Sequence, residues 1–227
     1  MSLITLITTA IDMVLHLDVY LPLLIAMFGV WSYAIISFII FMETGFVFTP
    51  FLPGDSLLFA AGAFAATASG FNVWLLLPLL ALAAILGDSV NYAVGSLIGH
   101  KILAMKSRWI KKHHIDKTHA FFEKHGGKAV VLARFVPFVR TFTPFIAGVG
   151  TMTYFRFLMF NMMGGIIWVA LFLFGGYFFG KIPFVQTHFF LVILAIIAIS
   201  FVPVIVEVIK HKREKKKGSK ADNNKNN

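Results

Sequence analysis

The sequence predicts an all-α polytopic membrane protein: four transmembrane helices, two oppositely oriented re-entrant helical hairpins and an N-terminal amphipathic helix. Three observations carry that prediction. The 227 residues are 59% hydrophobic and only 13% charged, with a mean hydropathy of +0.84, whereas soluble domains carry about a quarter charged residues. No Lys or Arg precedes Lys101, and most cations fall in two blocks, Lys101 to Lys128 and Lys210 to Lys225. Two further apolar stretches are interrupted by prolines, which would break a straight span.

In chain order, residues 1–18 place Thr5, Thr8, Thr9, Asp12 and His16 at helical spacing among Leu, Ile, Val and Met. That pattern reads as an amphipathic helix lying at the membrane interface, although it lacks cations. Residues 19–209 form the membrane domain. Tyr20 to Met42 is uncharged and long enough to cross a core of roughly 30 Å. A second span starts at Phe71 and continues past Asp88 to Gly99. Phe157 to Gly180 is a third, and Phe189 to Val206 is the centre of a fourth. Between them, Glu43 to Ala66 contains Pro50, Pro53, Gly54 and Asp55, and Ala129 to Gly150 contains Arg134, Pro137, Arg140 and Pro144. These stretches are too apolar for aqueous loops, so each reads as a re-entrant hairpin whose broken backbone is buried in protein or lines a wet cavity. Residues 210–227 are a polar basic tail with the composition of a disordered segment.

Charge sets the orientation. The formal net charge is +10, but cations clustered beside apolar spans mark a cytoplasmic face that attracts anionic lipids, and nucleic-acid binding is the weaker reading. With both basic blocks cytoplasmic, the first hairpin enters from outside, the second from the cytoplasm, and both termini are cytoplasmic. Opposed hairpins, each followed by a span, are the product of an inverted repeat. Pro50-Phe51 and Ala61-Gly62 echo Pro137-Phe138 and Ala147-Gly148, and Gly95 and Lys101 repeat the spacing of Gly175 and Lys181.

The ionisable residues inside apolar sequence are Glu43, Asp55, Asp88, Arg134, Arg140, Arg156 and Glu207. A charge at the bilayer centre costs about 2.5–3.5 kcal/mol on insertion scales, so such groups face a cavity or a partner. Glu207 and Arg156 lie near span ends and can reach the headgroups. Arg134 and Arg140 flank Pro137 symmetrically. Fully extended, they would stand about 19 Å apart, so the chain must bend at Pro137 for both to meet one phosphate. A guanidinium fork suits phosphate. Each Arg could equally pair with an intramembrane carboxylate and only hold the hairpins together. Both readings are open.

Pro53-Gly54-Asp55 is a turn signal. Asp55 reads as the N-cap of the returning helix, as a partner of an arginine, or as a proton carrier. Thr143-Pro144 reads as N-cap plus first-turn proline of the second return arm. Glu43 stands where the first span meets its hairpin and could shuttle protons if buried. Asp88, Asn91 and Tyr92 share a helix with Gly95 and Gly99, a small-residue packing face; Gly164-Gly165 and Gly175-Gly176 read the same way. His100, His113, His114, His119 and His125 lie in the basic loop without ligand geometry, so no metal site or cofactor is expected. Cysteine is absent, and no nucleophile elbow, P-loop or dinucleotide motif is present.

These residues resemble the DedA family, also called the SNARE-associated or VTT-domain family of bacterial inner-membrane proteins. The resemblance runs from about residue 15 to 212. It rests on Glu43-Thr-Gly, Pro50-Phe-Leu-Pro-Gly-Asp55-Ser, Gly87-Asp88-Ser-Val-Asn-Tyr92, Phe122-Glu-Lys-His-Gly-Gly127-Lys and Arg134-Phe-Val-Pro-Phe-Val-Arg140-Thr. One departure is Ser96, where many members carry Arg. The resemblance implies two facing hairpins and transport of polyprenyl phosphate, the undecaprenyl carrier, to the cytoplasmic leaflet. It places the family's acidic pair on Glu43 and Asp55 and its arginine pair on Arg134 and Arg140.

The expected function is therefore a flippase for a lipid phosphate, not an enzyme. Arg134 and Arg140 would hold the headgroup, Glu43 and Asp55 would release it by competition or titration, and Asp88, Tyr92, Pro50, Pro53, Gly54, Pro137 and Pro144 would support the site. Proton coupling and homo-oligomerisation are compatible with this reading. The alternatives are a proton-coupled small-molecule antiporter, a phospholipid scramblase, an intramembrane lipid phosphatase, which would need a His that neither hairpin has, and a scaffold.

Overall fold

The computed structural model describes residues 17–46, 54–67, 71–104, 126–136, 139–150, 152–199 and 202, and all regular structure among them is helical. The elements are α1 (Leu17–Phe28), α2 (Trp31–Gly45), α3 (Gly54–Ala66), α4 (Val73–Ala104), α5 (Lys128–Ala133), α6 (Val139–Val149), α7 (Tyr154–Phe179), α8 (Pro183–Thr187) and α9 (Phe189–Ile199). The expected amphipathic helix, most of the basic loop and the tail lie outside the described residues, apart from the start of α1 and the end of α4.

The stretch expected as one span, Tyr20 to Met42, is two helices. α1 stops at Phe28, Gly29 adopts a φ of 52°, and its N–H donates to the Ile25 carbonyl at 2.8 Å. That left-handed conformation ends helices and favours a residue without Cβ. α2 then runs past Met42, so Glu43, Thr44 and Gly45 form its last turn. At 15 and 13 residues, α2 and α3 are about 22 and 20 Å long, short of a roughly 30 Å core. By contrast, α4 (over Val73–Ile98) and α7 each supply a predominantly apolar stretch of 26 residues, long enough to cross. They coincide with the expected second and third spans. The expected fourth begins as α9.

In the second hairpin, α5 ends at Ala133 and Arg134 caps it. Gly126, at φ 62°, turns the chain into α5. The return arm differs from expectation. Thr143 and Pro144 do not open it: α6 starts at Val139, Pro144 lies inside, and the Thr143 hydroxyl donates to the Val139 carbonyl at 2.7 Å. Pro144 has no N–H for the carbonyl four residues back, a defect that neighbouring hydroxyls help to accommodate in apolar surroundings.

The two halves interlock. Each incoming arm packs on its own long helix, α2 on α4 and α5 on α7. Each return arm packs on the long helix of the other half, α3 on α7 and α6 on α4. Glycines make the exchanged contacts. Gly62 of α3 lies against the Leu173 carbonyl and Tyr177 nitrogen of α7, and Gly176 of α7 lies against the Phe59 carbonyl. Correspondingly, Gly148 of α6 lies against the Tyr92 carbonyl and Ser96 nitrogen of α4, and Gly95 of α4 lies against the Phe145 carbonyl. A Cβ at any of the four would strike backbone. The structural counterpart of Gly95 is thus Gly176, one residue on from the Gly175 that sequence spacing suggested.

Ile36, Ile40, Leu58, Leu76, Leu80, Leu173 and Ile193 are fully buried in the interior. The outer faces of α4 and α7 expose large apolar side chains, among them Trp74, Leu82, Leu97, Phe155, Leu171 and Phe178, as a surface bathed in hydrocarbon would. Apart from Ser32, whose hydroxyl donates to the Leu24 carbonyl at 3.1 Å near the start of α2, the buried polar and charged residues of the described chain gather where the last turn of α2 and the starts of α3 and α6 meet the long helices.

Candidate functional site

The helix ends on either side of the two chain interruptions bring opposite charges together. Glu43 ends α2 and Asp55 starts α3; Arg134 ends α5 and Arg140 lies in the first turn of α6. Carboxylates therefore flank one tip and guanidiniums the other. Arg140 reaches across the seam. Its Nη1 donates to Asp55 Oδ1 at 2.6 Å, and its Nη2 pairs with Glu43 Oε1. Glu43 is fully buried, while Arg140 and Asp55 retain slight exposure.

Arg134 forms a separate knot with the long helices. Its Nη2 donates to Asp88 Oδ2 of α4 and to Asn161 Oδ1 of α7, and Asn161 Nδ2 in turn donates to the Ile85 carbonyl at 3.1 Å. Gly164 and Gly165 create the space for it. A Cβ on Gly164 would stand 3.0 Å from Arg134 Cδ, so this glycine pair is the groove that admits an arginine as well as a packing surface.

Both knots share Trp168 of α7. The guanidinium carbons of Arg134 and Arg140 lie 5.9 and 5.2 Å from its ring centroid, within reach of a cation–π attraction. Asn91 of α4 ties the hairpins together as well, donating to the Thr44 carbonyl at 3.2 Å and the Thr141 carbonyl at 2.7 Å. Thr44, Asp88, Arg134, Arg140, Thr141 and Trp168 enclose a cavity with room for no more than about one water. Glu43 Oε2, Arg134 Nε and Asn91 Oδ1 are buried around this level without a hydrogen-bond partner among the described residues. Unmet polar atoms on this scale each cost about 1–3 kcal/mol.

The structure thus brings Glu43, Asp55, Asp88, Arg134 and Arg140 into one seam. Gly54 belongs there too, since the Glu43 carboxylate occupies the space a Cβ would need. Tyr92 does not join the ion pairs: it donates to the Met152 carbonyl and stacks on Phe157 at 4.6 Å. Pro144 acts within α6, and Pro50, Pro53 and Pro137 lie outside the described residues. A search for ionisable residues alone passes over Asn161 and Trp168. The available signals were an amide inside an apolar span, and a Trp at mid-span instead of at the interface that this residue favours.

Two apolar helices of spanning length, packed beside buried and paired charges, are the features of an α-helical membrane protein. The VTT domain matches residues 52–178. Escherichia coli (strain K12) Protein DedA is 51% identical over 212 residues, covering 92% of this chain and 97% of that one. A Mycobacterium tuberculosis (strain ATCC 25618 / H37Rv) membrane protein is 43% identical over 199 residues, 86% and 87% of the two chains. The E. coli (strain K12) inner membrane protein YqjA is 38% identical over 155 residues, 66% and 69%. The chain belongs to the VTT-domain family, that of DedA. No solved structure matches it.

Proposed function

We propose that this protein is a flippase, not an enzyme, that carries a lipid phosphate, polyprenyl phosphate first among candidates, across a bacterial inner membrane. A phosphate cannot enter hydrocarbon bare; it needs cations held at depth while its tail stays in lipid. The observation that carries this reading is the state of Arg140, whose two outer nitrogens are each taken by a carboxylate from the opposite hairpin. Arginine presents the same fork to phosphate, so a headgroup and the pair Glu43 and Asp55 compete for one set of donors.

The cavity as it stands is too small for a headgroup. The arrangement is a closed one, and entry requires the hairpins to part. α2–α3 and α5–α6 are re-entrant from opposite faces, both termini are cytoplasmic, and the basic blocks rest on anionic lipid. YqjA is named as an inner membrane protein, which supports the location. A proton taken up by the acidic pair would assist its exchange with phosphate. Association into homo-oligomers is compatible with this scheme.

The test is transport of a short-chain prenyl phosphate in reconstituted vesicles. Arg140→Lys keeps the charge and loses the fork, and should slow transport at least ~tenfold with the protein still folded. Wild-type rates in that variant would end the proposal. A second reading has one observation in its favour. The seam holds three carboxylates (Glu43, Asp55, Asp88) against two guanidiniums, a formal excess of one negative charge that would suit a proton-coupled exporter of cations. Native mass spectrometry decides: such an exporter binds no prenyl phosphate.

A further inference from the structure

We infer that Trp168 is a positioning residue that keeps hold of Asp55 when Arg140 lets it go, which makes the exchange of carboxylate for headgroup possible. The inference rests on the lipid-phosphate reading above and concerns a residue that reading does not use. Trp168 is 1% exposed, and its indole N–H donates to Asp55 Oδ1 at 2.9 Å. The same oxygen accepts from Arg140 Nη1 at 2.6 Å. One carboxylate oxygen thus has two donors, on different helices.

The packing says which donor stays. Asp55 is on α3 and Trp168 on α7, the helices locked by Gly62 and Gly176 against each other's backbone. Arg140 is on α6, locked to α4 through Gly148 and Gly95. A movement that draws the first turn of α6 away from α3, with the Arg134 knot still tying α4 to α7, separates Arg140 from Asp55 and leaves Trp168 with it. Without the indole N–H, the departing carboxylate oxygen would lose both of these donors at the moment a headgroup took its place. The ring supplies the second half of the role. It lies beside both guanidiniums, where its negative face offsets part of the repulsion between two cations gathered around one headgroup.

The chain has four tryptophans, so replacing Trp31, Trp74 and Trp109 by Phe leaves Trp168 as the only indole, whose emission is read with excitation that tyrosine does not absorb. In that background Arg140→Gln removes the competing donor. If Trp168 keeps hold of Asp55 once Arg140 lets go, adding Asp55→Asn to Arg140→Gln shifts the emission again; no further shift overturns the inference, with or without any lipid. The transport arm uses farnesyl phosphate in vesicles and Trp168→Phe, which keeps a ring and drops the N–H. The expected result is a maximal rate lowered ~tenfold, the loss of one hydrogen bond to a charged group, at a half-saturating concentration within ~twofold of wild type. A wild-type rate, or both constants worsening together as in general structural damage, overturns it. Should wild-type protein move no farnesyl phosphate, the proposed function falls, and the emission experiment still decides whether Trp168 holds Asp55.

Discussion

The two arginines are near neighbours in sequence and share one indole ring, yet their surroundings differ in kind. Arg134 is gripped by the long helices, through Asp88 on α4 and Asn161 on α7, and its side chain lies in a groove cut by Gly164 and Gly165. Arg140 is gripped by the opposite hairpin, through Glu43 and Asp55, and keeps some exposure. The first knot ties the end of a short helix to the two long ones; the second ties short helices to one another. Two identical side chains are thus divided between a fixed anchor and a latch that can open, and burial by the framework or by the tips makes the difference.

The comparison can be broken most directly at Arg134. Arg134→Ala leaves Asp88 buried without its cation and should cost about 3–5 kcal/mol of stability, read as a large drop in thermal midpoint in detergent. Adding Asp88→Ala should recover part of that loss, because no orphan charge remains. Equal damage in single and double variants would deny the anchor. Next in size are the exchanged contacts. Gly148→Ala and Gly176→Ala should each cost about 1–3 kcal/mol by overpacking against backbone, and by similar amounts if the halves are equivalent. A tolerated substitution at one site and collapse at the other would show that the halves carry unequal loads.

Asn91→Ala should cost about 1–2 kcal/mol, since the Thr44 and Thr141 carbonyls lose a donor. Hydrogen exchange at the ends of α2 and α6 should rise with it. The smallest effect on stability, under about 1 kcal/mol, is expected for Arg140→Lys, which retains the charge in the more accessible knot. Its thermal midpoint should sit close to wild type while transport falls. If Arg140→Lys unfolds the protein as readily as Arg134→Ala, the latch is an anchor too.

Much of this was legible in the sequence because charge is costly in apolar surroundings. Glu43, Asp55, Asp88, Arg134 and Arg140 stand out for that reason, and the prolines beside three of them (Asp55, Arg134 and Arg140) mark the hairpins. The pairing was not legible. Whether Arg134 meets Asp55 or Asp88 depends on how α3 and α4 are staggered against α5 and α6, which no local pattern encodes. The break at Gly29 was hidden as well. A lone glycine between Phe28 and Val30 looks like a tolerated helix residue, and only its positive φ shows otherwise. Pro144 misled for the opposite reason: a strong local rule for first-turn proline yielded to a helix that begins earlier and is supported by tertiary packing.

The exchanged glycine contacts also bear on how the chain is made. Gly62 finds its seat on α7 roughly half the chain length later. At a synthesis rate of 5–20 residues per second, α3 waits about 5–20 seconds for that seat. Its small-residue face must rest meanwhile against lipid or the insertion machinery. Neither half can finish alone, so a ribosome that stalls midway leaves behind an open fragment for quality-control proteases to clear.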